Sequence, residues 1–251
     1  MGEPKIDDLF DFSGKAVLVT GADGGIGRGI ALRFAEAGAN IGIHYRSRHE
    51  DALAVSETVE ALGVGSAVLR ADLRREEEVN RLVGSFVERF STIDVLINNA
   101  GIYPLKLLLD MSSNEWEETI QSDLTSVFLL TKAAATVMKK CRRQGASPRD
   151  GSGERASAGG AIVNIASIEG ENPAQNHTHY AAAKGGVIMH TKAAALELGQ
   201  YNIRVNSVSP GLIWREGLDE AWPEGVERYT NSAPLGRLGL PVDIADACLF
   251  L

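Results

Sequence analysis

The chain is 251 residues long, 44% hydrophobic and 23% charged, with a formal net charge of −8. That composition suits a globular protein with a sizeable core, and the acidic balance excludes a nucleic-acid partner, because no basic stripe is present to release counterions from phosphates. Cys141 and Cys248 stand far apart without metal-ligand spacing, which excludes a disulfide framework. The acidic N-terminus lacks the apolar segment of a signal peptide and no apolar run approaches a membrane span, so a soluble, cytoplasmic protein is expected.

In chain order, short β-branched runs alternate with stretches of helical period. Candidate strands are AVLVT (16–20), NIGIHY (40–45), SAVLRA (66–71), DVLINN (94–99), AIVNIA (161–166) and IRVNSV (203–208). Candidate helices fill 26–37, 50–62, 76–90, 114–141 and 179–200. The alternation marks βαβ units on a parallel sheet, and strands that are apolar nearly throughout are those covered by helices on both faces. One α/β domain over 1–251 is therefore expected. Two stretches break the rhythm. Residues 142–160, rich in Gly, Ser and Arg, read as a flexible surface loop, and 211–236, with two Trp and a Tyr among glycines and prolines, as an irregular substrate-covering flap. The chain stops on Leu-Phe-Leu with no cap or polar tail, so a last strand of the sheet is expected to be missing after Leu251.

The first strand runs through Gly21, Gly25, Ile26 and Gly27 into a helix. Glycines there permit a tight turn and bring backbone N–H groups to a pyrophosphate at the positive end of the helix. A glycine-rich turn alone is a weak signal, but this one stands between a strand and a helix, the context that nucleotide binding requires. Further on, Tyr180 and Lys184 are four residues apart and share one helix face. An ammonium beside a phenol favours its ionised form, and a phenol of lowered pKa can exchange a proton with a carbonyl or an alcohol. His177 and His179 flank Tyr180 without a third ligand, which is poor support for zinc, so no metal is expected. Glu169 and Glu171 follow Ser167 either at the border of a pocket or in a solvated loop.

The T-G-x-x-x-G-x-G spacing of the first turn, NNAG at 98–101, the Ser167, Tyr180, Lys184 set and NSVSPG at 206–211 together resemble the classical short-chain dehydrogenase/reductase family, over nearly the whole chain. The resemblance implies a Rossmann-type doubly wound parallel sheet in three layers. It implies that Ser167 orients a substrate carbonyl, that Tyr180 is the general acid/base, and that Lys184 also bonds the nicotinamide ribose. Trp116 is followed seven residues on by Asp123, where the family usually has the Asn that is its fourth catalytic member. There the family's role is a water held at the backbone carbonyl, so Asp123 is expected to keep the relay and to perturb its pH dependence through charge near Lys184.

Cofactor contacts implied by the resemblance are Gly21, Gly25, Ile26, Gly27, Asp72 at the adenine amino group, Asn99, Gly101, Tyr180, Lys184 and the backbone of Ile213 at the carboxamide. Where NAD-preferring enzymes place an acid at the end of the second strand, this chain has Tyr45 followed by Arg46 and Ser47, a pair suited to a 2′-phosphate. NADP(H) is favoured and NAD(H) stays an alternative, since Asp23 in the glycine turn could approach the same phosphate. The implied activity is an NAD(P)-dependent interconversion of a ketone and a secondary alcohol by hydride transfer. Two other readings stay open: an NAD-dependent sugar or polyol dehydrogenase, and a catalytically weak NADP(H)-binding sensor or scaffold. A homotetramer or homodimer, packed through the two longest helices, is implied as well.

Overall fold

The structure is a computed structural model and describes residues 9–142 and 159–251. Six parallel strands form one sheet in the order β3-β2-β1-β4-β5-β6: β1 Ala16–Val19, β2 Asn40–Tyr45, β3 Ser66–Arg70, β4 Val95–Asn98, β5 Gly160–Ile165 and β6 Ile203–Val208. β1 is the pivot of the winding. Val17 pairs with Ile41 on one side and Val95 on the other, so the chain returns across β1 between β3 and β4. That reversal opens a crevice at the carboxyl ends of β1 and β4, where doubly wound sheets bind ligands.

Period-two alternation along the strands explains the three layers. Val17, Val19, Ile41 and Ile43 face a layer containing α1 (Gly25–Glu36) and α2 (His49–Ala61), and pack on Ile30, Phe34, Val55 and Val59. Leu18, Leu96 and Ile162 face the opposite layer and pack on Phe86 of α3 (Glu76–Phe90) and on Leu130 and Met138. Buried amides lace the second half of the sheet: Asn98 Nδ2 donates to Asn164 Oδ1 at 2.8 Å, and Asn164 Nδ2 to Thr191 Oγ1 at 2.9 Å. Nothing in the hydrophobic pattern announces that ladder.

Two expectations need correction. The single helix expected over 114–141 is broken into α4 (Ser113–Ile120), a π-helical turn (Gln121–Thr125) and α5 (Ser126–Arg142). A π turn widens the backbone ring without changing side-chain period visibly, and such turns are frequent at functional sites. The irregular flap expected over 211–236 contains α7 (Leu218–Ala221) and α8 (Pro223–Ser232), where Pro223 opens a helix and Trp222 packs its ring near Tyr229, 6.2 Å centroid to centroid. The longest helix, α6, runs Thr178–Leu198, and α9 (Pro241–Phe250) lies on α1, with an Arg33–Asp246 ion pair at 2.5 Å. The inserted loop expected at 142–160 falls almost wholly outside the described residues. Among the described residues, no helix is long and apolar enough to cross a membrane.

Candidate active site

The glycine turn is shaped by close approach. A Cβ on Gly27 would lie 2.1 Å from the Gly21 carbonyl oxygen and 2.6 Å from Asn99 Nδ2, and Gly21 itself has φ of +61°. Asn99 closes the arrangement by donating from Nδ2 to the carbonyls of Thr20 (2.9 Å) and Gly21 (3.1 Å). α1 begins at Gly25 and Ile26 with no side-chain cap, which leaves the N–H groups of its first turn directed at whatever anion enters. Behind the turn, buried His44 accepts from the Gly21 N–H through Nδ1 (3.1 Å), and its Nε2 lies 3.1 Å from the Ala71 carbonyl. A nucleotide pyrophosphate fits this cradle.

The cleft beside it, about 300 Å3 in volume, is lined by Gly21, Asp23, Arg46, Ser47, Asp72, Asn99 and Gly101 among others, so the structure brings most of the expected adenosine contacts together. Asp23, the acid that argued against a phosphate, is paired with Arg48 at 2.9 Å. Arg46 makes no side-chain hydrogen bond or ion pair among the described residues. Asp72 is gripped by Arg74, whose Nη2 lies 2.6 Å from Oδ2, and that bond holds its carboxyl below the usual range. The sequence reading missed Arg48, Arg74 and His44, because each acts on another side chain or on backbone rather than within a motif.

At the other end of the crevice, β5 delivers Ser167 and α6 delivers Tyr180 and Lys184. Lys184 is buried, donates to the Ile165 carbonyl at 3.0 Å, and has Nζ 5.6 Å from the centre of the Tyr180 ring. Asp123, 1% exposed, is turned into this site by the π turn. Its Oδ1 accepts from the Ile102 N–H at 2.8 Å, and its Oδ2 forms an ion pair with Lys184 Nζ at 3.4 Å. Gly101 leaves room for that carboxylate, since a Cβ there would stand 2.8 Å from Oδ2. The side chain of Asp123, not its backbone alone, therefore faces the lysine. Both carboxylate oxygens face donors, a task an amide could perform at only one of them. Burial pushes the Asp123 carboxyl up, against the pull of Lys184.

The expectation of a lowered Tyr180 pKa does not hold. Burial pushes the phenol up to about 12, a hydrogen bond with Ser167 pulls it down, and Asp123 and Glu169 push it up further. Burial is the main cause, and the Lys184 ammonium stands over the ring, 5.6 Å from its centre.

Glu169 is buried rather than solvated, whereas Glu171 is exposed. Tyr103 Oη donates to Glu169 Oε1 at 2.7 Å, and His177 Nδ1 lies 2.7 Å from Oε2. The Tyr103 ring stands edge-on to Tyr180, with centroids 4.7 Å apart. Tyr103 is a further residue that sequence reasoning missed, because it follows NNAG in a segment with no period or motif of its own. His179 is fully buried within α6. Ile213 pairs with Gly239 across an isolated bridge, and the segment before it is tied to the site by the Ile168 N–H donating to the Pro210 carbonyl at 3.1 Å.

The chain is similar to known proteins in sequence and in fold. The short chain dehydrogenase family pattern matches residues 15–223. The chain is 38% identical over 239 residues to the 3-oxoacyl-[acyl-carrier-protein] reductase FabG of Staphylococcus aureus (strain Mu50), covering 94% of this chain and 90% of the relative. It is 37% identical over 244 residues to the FabG of Chlamydia muridarum, covering 94% and 89%. Among solved structures it is similar to 7α-hydroxysteroid dehydrogenase complexed with NADH and 7-oxo glycochenodeoxycholic acid, with a TM-score of 0.87, 32% identity and coverage of 99% and 91%. A short-chain type dehydrogenase/reductase from Mycobacterium marinum gives a TM-score of 0.85 at 32% identity, with the same coverage. The chain belongs to the short-chain dehydrogenase/reductase family, oxidoreductases that act on CH–OH and carbonyl groups with NAD(P).

Proposed function

We propose that the protein reduces a ketone to a secondary alcohol, or the reverse, with Tyr180 as general acid/base and NADP(H) as its preferred cofactor. The observation that carries this is the meeting of Ser167, Tyr180 and Lys184 beside an uncapped helix N-terminus in one crevice. A reduced nicotinamide bound there supplies hydride to the carbonyl carbon. Ser167 hydrogen-bonds the carbonyl oxygen as charge develops, and Tyr180 gives that oxygen a proton. Lys184 holds positive charge behind the Tyr180 ring, and Asp123 fixes the ammonium in place.

The case for NADP(H) is the charge balance at the adenosine end. Arg48 neutralises Asp23, while Arg46 beside Ser47 keeps its donors for a 2′-phosphate. The 7α-hydroxysteroid dehydrogenase complex carries NADH, so NAD(H) is the reading to test against. Residues 211–236 are read as covering the substrate. A homo-oligomer is supported by exposed Phe128 on α5 and exposed Met189 and Leu196 on α6, an apolar face that a second copy would cover.

The test is a titration with NADPH and NADH by fluorescence, followed by a panel of ketones. NADPH is expected to bind more tightly and to be oxidised by at least one ketone, and Tyr180→Phe to lower kcat by roughly 10²–10⁴-fold. Tight binding with no oxidation by any ketone would replace this reading by that of a cofactor sensor.

A further inference from the structure

We propose that residues 103–107 form an apolar ledge for the substrate, so that the protein acts on ketones carrying an extended hydrocarbon chain. The proposal rests on the reading of the crevice as a ketone-reducing site. Between β4 and α4, residues 99–107 have no regular structure, yet their exposure alternates residue by residue from Gly101 onward. Tyr103, Leu105 and Leu107 are turned outward, 53%, 66% and 59% exposed, while Ile102, Pro104 and Lys106 are the more covered positions between them. Period-two alternation ordinarily buries the apolar set. Here it is inverted: the apolar set faces outward and the lysine stands on the more covered side. Apolar residues exposed singly need no explanation, but a row of three that starts beside Tyr180 does.

The inverted register is pinned by bonds to the body of the protein. The Ile102 N–H donates to Asp123 Oδ1 at 2.8 Å and the Lys106 N–H to the Asn176 carbonyl at 2.8 Å, with Pro104, which has no N–H, between them. Lys106 Nζ pairs with Glu115 at 3.1 Å, which draws the cation off the ledge. A slip by one residue would turn the row over and break these bonds together. Continuity with the crevice names the occupant. The rings of Tyr103 and Tyr180 are 4.7 Å apart, centroid to centroid, so the ledge starts where the carbonyl is reduced. From there it leads away over up to roughly 14 Å, the reach of four extended residues. The Tyr103 hydroxyl is engaged by Glu169 at 2.7 Å and by His177 at 3.1 Å, which leaves no free hydrogen-bonding side chain on the row for a sugar or polyol. A second copy has its own apolar face at Phe128, Met189 and Leu196, on other elements.

Methyl ketones of rising length test the ledge. In wild type, kcat/KM with NADPH is expected to rise at least about 10-fold from butanone to decanone, because each methylene laid on the row leaves water. In Leu105→Ser and in Leu107→Ser the decanone-to-butanone ratio of kcat/KM is expected to fall about 10-fold, chiefly through the KM for decanone. A ratio equal to wild type in both variants overturns the proposal. So does a variant that loses oligomer mass by light scattering at an unchanged ratio, since the row would then be a contact between copies. Turnover of no ketone at all sinks the reading of the crevice, a different failure. Decanone binding, followed by the fluorescence of NADPH held on the protein, then decides: weaker binding in both variants upholds the ledge, and absent binding or equal affinity in all three proteins overturns it.

Discussion

The two ends of the crevice are built by different means. The nucleotide end is made from backbone: Gly21, Gly25 and Gly27 stand within seven residues, and the shape they give the chain is the binding surface. The substrate end is made from side chains: Tyr103, Asp123, Glu169, His177 and Lys184 come from four separate segments and meet only through hydrogen bonds and ion pairs. A backbone site fails all at once when one atom is added. A side-chain site changes by degrees, because each partner can be exchanged while the others remain.

Gly27→Ala breaks the comparison at its rigid end. The new Cβ would meet the Gly21 carbonyl at 2.1 Å, a backbone atom that cannot swing aside. Overpacking of this kind costs roughly 1–3 kcal/mol, and the upper end is expected here. Thermal melting should fall, and NADPH and NADH affinities should drop together, since neither nucleotide escapes the turn. Arg46→Ala tests the same end where it depends on a side chain instead. Loss of a charge-assisted hydrogen bond is worth about 1.5–3 kcal/mol, so NADPH affinity should fall about 10- to 100-fold while NADH affinity stays level. Equal losses for both nucleotides in Arg46→Ala would remove the 2′-phosphate from the account.

That contrast also explains how much was legible in the sequence. All six strands begin within a residue of expectation, and β2 and β6 coincide with it, because strands buried on both faces must be apolar throughout. The glycine turn could be read because its geometry demands one residue type at fixed spacing. Ser167, Tyr180 and Lys184 could be read because they share a short stretch around one helix. Tyr103, Glu169 and His177 could not be assembled, since 66 positions separate Tyr103 from Glu169 and no spacing rule joins them. The π turn at Gln121–Thr125 was hidden for another reason: one extra residue in a turn leaves the apolar pattern of the flanking helices intact. The direction of the Tyr180 shift was misjudged because the sequence shows the lysine four residues away but not how deeply the phenol is buried, nor the charges of Asp123 and Glu169 that the fold brings to bear on it.

Asp123→Asn is the mildest change and probes the graded end. The amide keeps the shape, and Lys184 keeps its bond to the Ile165 carbonyl, so the site should stay assembled. What disappears is one negative charge that pushes the Tyr180 phenol up. Reduction is lost as pH rises through the phenol's pKa, so in the variant that loss should begin at lower pH, by about one unit or less. Stability carries a second sign. The Asp123 carboxyl is raised above its ordinary value of 3.8, so the folded chain holds its proton more tightly than the unfolded chain does. Its contribution is therefore present in full below pH 3.8 and is lost as pH rises through the folded pKa. Melting temperatures of wild type and variant, measured across that range, should diverge with the wild type losing ground as pH rises. Parallel melting curves together with superimposable rate profiles would show that the lysine alone governs this corner of the site.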